Sequence, residues 1–429
     1  MNLKQNIAII GAGVAGINAA RHLAENGHQV NIYEAADKIG GRATSLTDKT
    51  SGDMIDNGQH IMIGAYYEFL AMLHSFQADE HIIKQKSLVT RFIDQNSVYN
   101  FDTSRLPGKA GFLDGFLRFD MLNFKQKFQI AGFYLNILLN KKFDTDLTAY
   151  GLLREWKQDA ELIKLFWEPL IISALNTKLD EASAKIFVNV MKAGFFKSRS
   201  AAAIYIPQVA FSELFAKFAH PNINIHYKKR ITEIATQNSK VKHIAVGDEI
   251  LQADKYISCV PPYILNRLLE GEQHLGEFEY SPIISLYLWY DENIMKDDFY
   301  AVSGGNYDWI FNKSNIDLHK SGFAKGFYTL TKSAADEFML LKNDELLLKA
   351  KVDMRKFLKH DKEPLHHRII KEKFATIKST PASDKFRPSC KTKYKNLFIA
   401  GEWTDTGFPS TLEGAAISGK IAAESLMKF

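Results

Sequence analysis

Apolar residues at the start of the chain follow first the pattern of a buried strand and then that of a helix. Residues 6–10 read NIAII, an unbroken apolar run with β-branched residues that is typical of a buried strand. From residue 14 to 26, apolar side chains recur at helical spacing, and Gly27 predicts the end of that helix. Residues 29–33 read QVNIY and predict a second strand. A strand, a helix and a strand in this order predict a fold of the α/β class.

The turn between the first strand and the helix is rich in glycine. Residues 11–16 read GAGVAG, which has the spacing of a dinucleotide-binding turn. Gly11 permits the tight turn, Gly13 lets the backbone approach a pyrophosphate, and Gly16 allows close packing of the helix on the sheet. The pyrophosphate would lie on the positive N-terminus of the helix, so we count Ala15 among the cofactor-binding candidates. The alternative is a glycine-rich turn with a purely structural role.

An acidic residue and a second pair of glycines follow the second strand. Glu34 stands at its carboxyl end, where a carboxylate accepts hydrogen bonds from the adenosine ribose and would repel the 2′-phosphate of NADP. Gly40, Gly41 and Arg42 come soon after and suit a second pass of backbone beside a diphosphate, as is common in FAD proteins. A surface turn with a solvated arginine is the alternative for that segment. Together these features predict a Rossmann-like dinucleotide site.

The last part of the chain repeats the order of strand, turn and helix. Residues 396–400 read NLFIA and predict a buried strand, which leads into Gly401 and Glu402. Glu402 would hold a hydroxyl group on the ribityl or pyrophosphate side of a flavin cofactor.

A closing helix is predicted over residues 411–427, a stretch rich in alanine and glycine. Ser410 or Thr411 would be its N-cap, and its first residues, Thr411 and Leu412, are cofactor-binding candidates. The positive N-terminus would stabilise negative charge on the N1 and C2 carbonyl side of a reduced flavin. The small side chains indicate that something approaches this helix closely. The alternative to a cofactor is tight packing of the helix on the sheet.

Three sets of motifs, spread over nearly the full length, connect the chain to a known family. It resembles the FAD-dependent amine oxidase and carotenoid desaturase superfamily and, within it, the squalene-associated branch, the hydroxysqualene dehydroxylases. The motifs at the two ends are largely common to the superfamily, whereas DNGQH, WEPL and LNT are typical of the narrower branch. The motifs are residues 7–42, DNGQH at 56–60 and GAY at 64–66; WEPL at 167–170, ALNT at 174–177 and ASA at 182–184; and AGEWT at 400–404 with Thr406, Gly407, Pro409, Thr411, Glu413, Gly414, Ser418 and Gly419.

The resemblance implies a Rossmann-like FAD-binding domain of the GR2 type, interleaved with a mixed α+β substrate domain. Residues 1–75, 205–270 and 370–429 would form the first domain, and residues 76–204 and 271–369 the second. The resemblance also implies FAD as the cofactor, a long apolar isoprenoid as the substrate and an external electron donor.

The resemblance further implies roles for residues within the two predicted domains. Gly58, Gln59 and His60 would lie beside the flavin, and a backbone group of Ile231 would meet the adenine, although an apolar residue of this kind also suits a core. His60 is the candidate proton donor, because a histidine can be protonated near neutral pH. A structural His60, bonded to backbone, is the alternative. Asp56, the second catalytic candidate, has the same two interpretations.

If the resemblance extends to the chemistry, the reaction is the reduction of hydroxysqualene to squalene in squalene and hopanoid-type isoprenoid synthesis. The hydroxyl would leave with proton assistance, and reduced flavin would deliver hydride from N5 to an allylic cation in a dry, aromatic pocket. Two alternatives stay open. One is a carotenoid- or phytoene-type desaturase, which removes hydride through the same N5. The other is a catalytically inactive lipid-binding protein with the flavoprotein fold.

Residues 111–143 have a helical pattern in which phenylalanines are interleaved with lysine and arginine. This pattern suits a basic amphipathic surface that lies in a membrane interface and admits a lipid. Helices that pack a phenylalanine-rich core are the alternative. Residues 283–290 read IISLYLWY and predict a strand that lines a pocket.

Composition narrows the remaining classes of function. Lys plus Arg is 54 against Asp plus Glu 49, a balance of +5 that is too mild for a nucleic-acid track. Two cysteines, Cys259 and Cys390, give no disulfide framework and favour a cytoplasmic protein, with peripheral contact at the inner face of the membrane as a further expectation. We expect no signal sequence, spanning helix or metal site. A second GxGxxG motif is missing from the sequence, so the electron donor stays unidentified.

Overall fold

The computed structural model describes residues 4–106, 108–195, 197–198, 200–271 and 275–428. Residues 1–3 and 429, the outer limits of the predicted cofactor domain, lie outside this part of the chain. The strands are β1 Asn6–Ile10, β2 Gln29–Tyr33, β3 Ser45–Thr47, β4 Met54–Asp56, β5 Met62–Ile63, β6 Ile82–Lys84, β7 Val89–Ile93, β8 Val98–Asp102, β9 Ile204–Pro207, β10 Ile223–His226, β11 Glu233–Gln237, β12 Lys240–Val246, β13 Glu249–Leu251, β14 Lys255–Ser258, β15 Tyr280–Tyr290, β16 Phe299–Val302, β17 Trp309–Asn312, β18 Gly326–Lys332, β19 His366–Ile377 and β20 Leu397–Ile399. The helices are α1 Val14–Glu25, α2 Tyr67–Ser75, α3 Gly108–Leu117, α4 Phe124–Leu138, α5 Ala149–Glu155, α6 Ala160–Leu162, α7 Glu168–Leu175, α8 Ala184–Phe195, α9 Phe211–Ala216, α10 Pro262–Leu268, α11 Lys313–Ile316, α12 Asp336–Met339, α13 Asn343–Leu358, α14 Pro381–Phe386 and α15 Leu412–Met427. A 3₁₀ turn covers Asp79–His81, and a π-helical stretch, Ile163–Trp167, joins α6 to α7.

A parallel sheet of five strands carries both ends of the chain. Its order is β10-β2-β1-β14-β20, and its pairings are parallel. Ile7 and Ile9 of β1 are fully buried at its centre, because helices α1 and α15 cover one face. The carboxyl ends of parallel strands lie at one edge of a sheet, so the glycine turns after β1 and β20 come to the same edge. The limits of the two predicted domains stay a prediction.

A second sheet, in the order β19-β15-β18-β17-β16-β7-β8, lies in the other half of the molecule. Its long strand β15 contains the predicted strand at 283–290. Successive side chains of a strand point to opposite faces. Ile284, Leu286 and Leu288 pack in a core cluster with α13, so Ser285, Tyr287 and Trp289 lie on the opposite face.

Helices α3 to α8 form a cap around an aromatic cluster. The predicted helical segment at 111–143 divides into α3 and α4, because Asn123 caps α4 with a reciprocal bond to Gln126. The core-packing interpretation holds for most phenylalanines of this segment, and the exposed ones are confined to α4. The buried ones are Phe112, Phe116, Phe119 and Phe133; the exposed ones are Phe124 and Phe128. Within the described ranges, no helix is both long and apolar enough to cross a bilayer.

The ALNT motif at 174–177 ties this cap to the second sheet. Asn176 ends α7 in the left-handed conformation with φ 46°, which asparagine tolerates. Its Nδ2 donates to the Ser281 carbonyl at 3.2 Å and to Thr376 Oγ1 at 2.9 Å. Its Oδ1 accepts from Ala334 N at 2.7 Å. The motif therefore has a structural role, joining three separate segments.

Candidate functional site

The first glycine turn joins β1 to α1 at the carboxyl edge of the parallel sheet. A Cβ on Gly16 would lie 2.1 Å from the Gly11 carbonyl oxygen, so a larger residue does not fit. Helix α1 begins at Val14 with Gly13 as its N-cap, and glycine leaves the first N–H groups uncovered by a side chain. Ala15 is buried behind this turn. The turn has the shape of an anion site at a helix N-terminus.

The second glycine turn lies directly against the first. Gly40 N donates to the Ala12 carbonyl at 2.8 Å. A Cβ on Gly41 would lie 3.2 Å from the Gly13 Cα. The structure therefore brings together two glycine turns that are separated by a helix and a strand in the sequence.

Glu34, at the end of β2, is held beneath these turns by two backbone groups. Its Oε2 accepts from Ala12 N, and its Oε1 accepts from Ala36 N, both at 2.8 Å. A carboxylate has about four acceptor positions, so the two bonds orient Glu34 and leave capacity for ribose hydroxyls.

The last segment of the chain reaches the same place through an ion pair between Arg42 and Glu402. Arg42 Nη1 also donates to the Ala375 carbonyl at 3.1 Å. Burial acts to raise the pKa of the Glu402 carboxyl, but the charge and hydrogen bond of Arg42, a backbone hydrogen bond and the charge of Arg387 together outweigh it and hold that pKa below its ordinary value. Gly401 N donates to Ser418 Oγ at 2.8 Å, which fixes the turn after β20 against α15.

Helix α15 begins at Leu412, and its N-cap is Thr411, whose hydroxyl accepts from Gly414 N at 3.2 Å. A Cβ on Gly419 would lie 2.2 Å from the Ala15 carbonyl oxygen. The close neighbour at Gly419 is therefore the backbone of α1, neither a cofactor nor the sheet. Helices α1 and α15 are therefore packed directly on each other.

Asp56 ends β4, and its carboxylate organises the chain around it. Oδ1 accepts from Ser45 Oγ at 2.6 Å and from Phe211 N at 3.0 Å. Tyr287 donates its hydroxyl to the Asp56 carbonyl at 2.8 Å. Asp56 is buried and connects β3, the start of α9 and β15.

His60 follows shortly after, with its ring beside that of Phe211 at a centroid distance of 4.6 Å. Burial lowers the pKa of His60, and the opposing effects of the Asp56 charge and the Gly58 backbone are smaller. Among the described residues, His60 Nδ1 and Gln59 Oε1 are buried without a hydrogen-bond partner.

A polar cavity of about 270 Å³ borders Asp56. Lys313 and Asp317 line it and form an ion pair at 2.8 Å. Burial raises the pKa of Asp317 to about 6, although Lys313 opposes the rise. A carboxyl that titrates near neutral pH is thus placed in the same cavity as Asp56. In the part of the chain that the structure describes, no cluster of three or more His, Cys, Asp or Glu is arranged for a metal ion.

The remaining predicted residues have mixed surroundings. Ile231 precedes β11 and packs its side chain in a core cluster that includes Ile10, Ile234 and Ile244, so its adenine contact stays a prediction that concerns the backbone alone. Gly58 lies against the second sheet, where a Cβ on it would be 3.8 Å from Ser285 Oγ.

Sequence reasoning did not single out Ser285 or Thr329, which the structure places on the sheet face beside this segment. The available signal was the serine within the apolar run IISLYLWY. That serine could not be recognised as a site residue from the sequence, because its neighbour Thr329 is contributed by a separate strand, β18, which pairs with β15.

The glycine turns, which a Cβ would fill, and the acid at the end of β2 fit an FAD molecule bound across the sheet edge. The family described as flavin containing amine oxidoreductase matches residues 14–427. The chain belongs to this family and is an FAD-dependent oxidoreductase. The predictions of an α/β flavoprotein fold and of FAD as cofactor are confirmed.

The chain is also similar to individual proteins over nearly its full length. The hydroxysqualene dehydroxylase of Zymomonas mobilis is 26% identical over 427 residues, which cover 97% of each chain. The 15-cis-phytoene desaturase of Synechococcus elongatus is 22% identical over 98% of this chain and 95% of the relative. The structure of cyclohexylamine oxidase from Brevibacterium oxydans covers 99% of both chains with a TM-score of 0.72 at 14% identity, which shows the fold alone. The resemblance to the squalene-associated branch is confirmed.

Proposed function

We propose that the protein is an FAD-dependent dehydroxylase that converts hydroxysqualene to squalene. One observation carries the proposal: the chain is similar over nearly its full length to hydroxysqualene dehydroxylases, at 26% and 25% identity. The site is compatible with it, because His60 offers a buried ring nitrogen with no partner in the described residues. A proton donor beside the flavin is what the departure of a hydroxyl requires.

The reaction exchanges a C–O bond for a C–H bond. The oxygen takes up one proton and leaves as water, and the carbon takes up a hydride. Bound FAD, after reduction by an external two-electron donor, supplies that hydride. The protein's own residues must deliver the proton, orient the alcohol and keep bulk water from the cationic carbon.

His60 is our candidate for the proton donor. Because its pKa is lowered, its protonated ring is a stronger acid than an ordinary imidazolium, and general acid catalysis contributes roughly 10² to 10⁴ in rate. We assign Asp56 a positioning role. Its carboxylate binds Phe211 N, and the Phe211 ring packs on His60, so Asp56 fixes the surface on which His60 rests.

The direct test mixes chemically reduced holoenzyme with hydroxysqualene in detergent micelles without oxygen. We expect one squalene for each flavin reoxidised. The rate should fall as pH rises through the lowered pKa of His60, since the protonated ring is the active form. His60→Gln should lower the rate about 100-fold and remove this pH dependence.

Two outcomes would contradict the proposal. Wild-type enzyme that reoxidises without forming squalene would remove the dehydroxylase assignment. Oxidised enzyme that introduces double bonds into phytoene, with no reaction on hydroxysqualene, would establish the desaturase alternative, which the 22% identical phytoene desaturase also supports.

We further propose that the protein contacts an anionic membrane surface through the outer face of α4. Phe124 and Phe128 are 83% and 75% exposed, and Leu135 and Leu139 continue the same apolar face. Lys127 of α4, and Lys141 and Lys142 beyond its end, supply positive charge beside this face, whereas Lys125 forms an ion pair with Asp159 at 3.2 Å. Amphipathic helices of this kind bind in the plane of a bilayer with their apolar face in the lipid.

The membrane proposal predicts the behaviour of a double variant, Phe124→Ser with Phe128→Ser. It should bind vesicles containing anionic lipid about 100-fold more weakly than wild type, because each phenylalanine contributes roughly 1.5–3 kcal/mol when buried in lipid. Phe386→Ser is the matched control, since Phe386 is 73% exposed on α14. Equal vesicle sedimentation of wild type and the double variant would contradict the proposal.

A further inference from the structure

The face of the second sheet beside residues 56–60 is aromatic with a few hydroxyl groups. Residues that pair directly across strands lie on the same face. Tyr287 pairs with Thr329, which pairs with Phe311. Ser285 pairs with Thr331, which pairs with Trp309. Ser285 and Thr329 are therefore diagonal neighbours on one face.

This face lies against the segment 56–60, which the proposed function places beside the flavin. Tyr287 holds the Asp56 carbonyl at 2.8 Å, and Ser285 Oγ lies 3.8 Å from where a side chain on Gly58 would begin. The DNGQH segment therefore runs across the sheet at Ser285. On the side of β17, Phe311 and Trp309 continue the face into the aromatic cluster under the helical cap.

Ser285 and Thr329 are buried, with 1% and 0% of their surface exposed. Neither Ser285 Oγ nor Thr329 Oγ1 has a hydrogen-bond partner in the described residues. Gln59 Oε1 and His60 Nδ1, in the segment that crosses this face, are also buried without a hydrogen-bond partner among the described residues. An unpaired buried hydroxyl is unfavourable, and alanine or valine would fill the same space without that cost.

We propose that Ser285 and Thr329, together with Gln59, form a subsite that binds the hydroxyl oxygen of an allylic alcohol next to the flavin. This inference rests on the proposed function and adds the residues that recognise the substrate. A hydroxyl both donates and accepts, so a serine and a threonine can pair with an alcohol oxygen and, after the C–O bond breaks, with the departing water. A pure hydrocarbon substrate would leave these groups unpaired.

The test compares two ligands, hydroxysqualene and squalene, bound to the oxidised holoenzyme and detected through the flavin absorbance spectrum. Wild type should bind the alcohol at least about tenfold more tightly than the hydrocarbon. The double variant Ser285→Ala with Thr329→Val should lose that preference, through a roughly 10- to 100-fold weaker affinity for hydroxysqualene alone. A second double variant, Ser285→Ala with Thr329→Ser, keeps one of the two hydroxyl groups. It should retain most of the preference for the alcohol.

Tyr290→Phe is the matched control. Tyr290 lies on the same strand, and its buried hydroxyl also lacks a partner among the residues described, but it packs in the core on the opposite face of the sheet. Its removal should leave the preference unchanged, and flavin content and melting temperature show that each variant is folded.

The outcomes separate the subsite from the proposed reaction. If wild type forms squalene but the double variant keeps its preference for the alcohol, the subsite is wrong and the reaction stands. If wild type binds both ligands equally, the subsite is also wrong. If wild type prefers the alcohol but forms no squalene, the proposed reaction fails and alcohol binding stands.

Discussion

Replacing Gly16 by alanine is expected to give a protein that purifies without flavin. The added methyl group would lie 2.1 Å from the Gly11 carbonyl oxygen and 3.4 Å from Ile9 Cγ2, at the junction of β1 and α1. The contact with Gly11 is far inside van der Waals distance, and its partner is backbone that carries the phosphate-binding turn. Relief requires a shift of Gly11 or of the helix N-terminus, and overpacking of this kind costs about 3 kcal/mol, a roughly 100-fold loss of FAD affinity.

Gly132→Ala is the control for this prediction. Gly132 lies on the exposed side of α4, and among the described residues no atom other than its chain neighbours and the backbone of its own helix would lie within 4 Å of its Cβ. The same change there should stabilise the helix by about 0.5–1 kcal/mol and leave the yellow colour intact. Flavin absorbance relative to protein absorbance, with titration of added FAD, measures both variants. A Gly16→Ala protein with the flavin content of wild type would show that the turn does not hold the cofactor.

The glycine turn after β1 and the acid at the end of β2 were predictable because their signals are local. GAGVAG reflects a constraint within one turn, and the acid after β2 follows at a fixed spacing from it. The pairing of Arg42 with Glu402 was not predictable in this way, since nothing near either residue in the sequence indicates the other. Gly419 shows the same limit: its small size is visible in the sequence, but the backbone of α1 that requires it is known only from the fold.

The packing of the helical cap and of the second sheet was harder to predict from the sequence, because it too depends on contacts between distant segments. Hydrophobic periodicity predicts that a helix has an apolar face, but it does not tell which of several phenylalanines meets a neighbour. Phe133 is buried and Phe128 is exposed on the same helix, because only one side of α4 packs against the other helices of the cap. Ser285 and Thr329 become informative only when the surrounding atoms are known to offer them no partner within the described chain.

Glu413 gives the second large effect, a loss of stability with rising pH. Its carboxylate, 2% exposed in the first turn of α15, accepts from Glu68 N at 3.1 Å and Phe69 N at 2.9 Å at the start of α2. Burial raises the pKa of Glu413 to about 7, with the Glu68 charge adding to the rise, while the two backbone bonds and Lys420 oppose it. The carboxyl is therefore held protonated in the fold at acidic pH, beside the N-terminal end of α15.

The direction of the effect follows from linkage. A carboxyl whose pKa in the folded state lies above its unfolded value of about 4.5 binds its proton more tightly when folded, so the stability it contributes is complete below pH 4.5 and is lost as pH rises through 7. The difference of pKa corresponds to about 3 kcal/mol. Glu413→Gln stays neutral at every pH, but its amide nitrogen cannot accept from Glu68 N or Phe69 N, so the variant loses one hydrogen bond and should be about 1–3 kcal/mol less stable than wild type at pH 5. Above pH 7, where wild type loses the stability contributed by its protonated carboxyl, this difference should disappear or change sign. The apparent melting temperature of holoenzyme at each pH measures this, with Glu424→Gln, an exposed position on the same helix, as the control. A difference between wild type and Glu413→Gln that stays constant from pH 5 to 8.5 would mean that Glu413 does not change its charge in the fold.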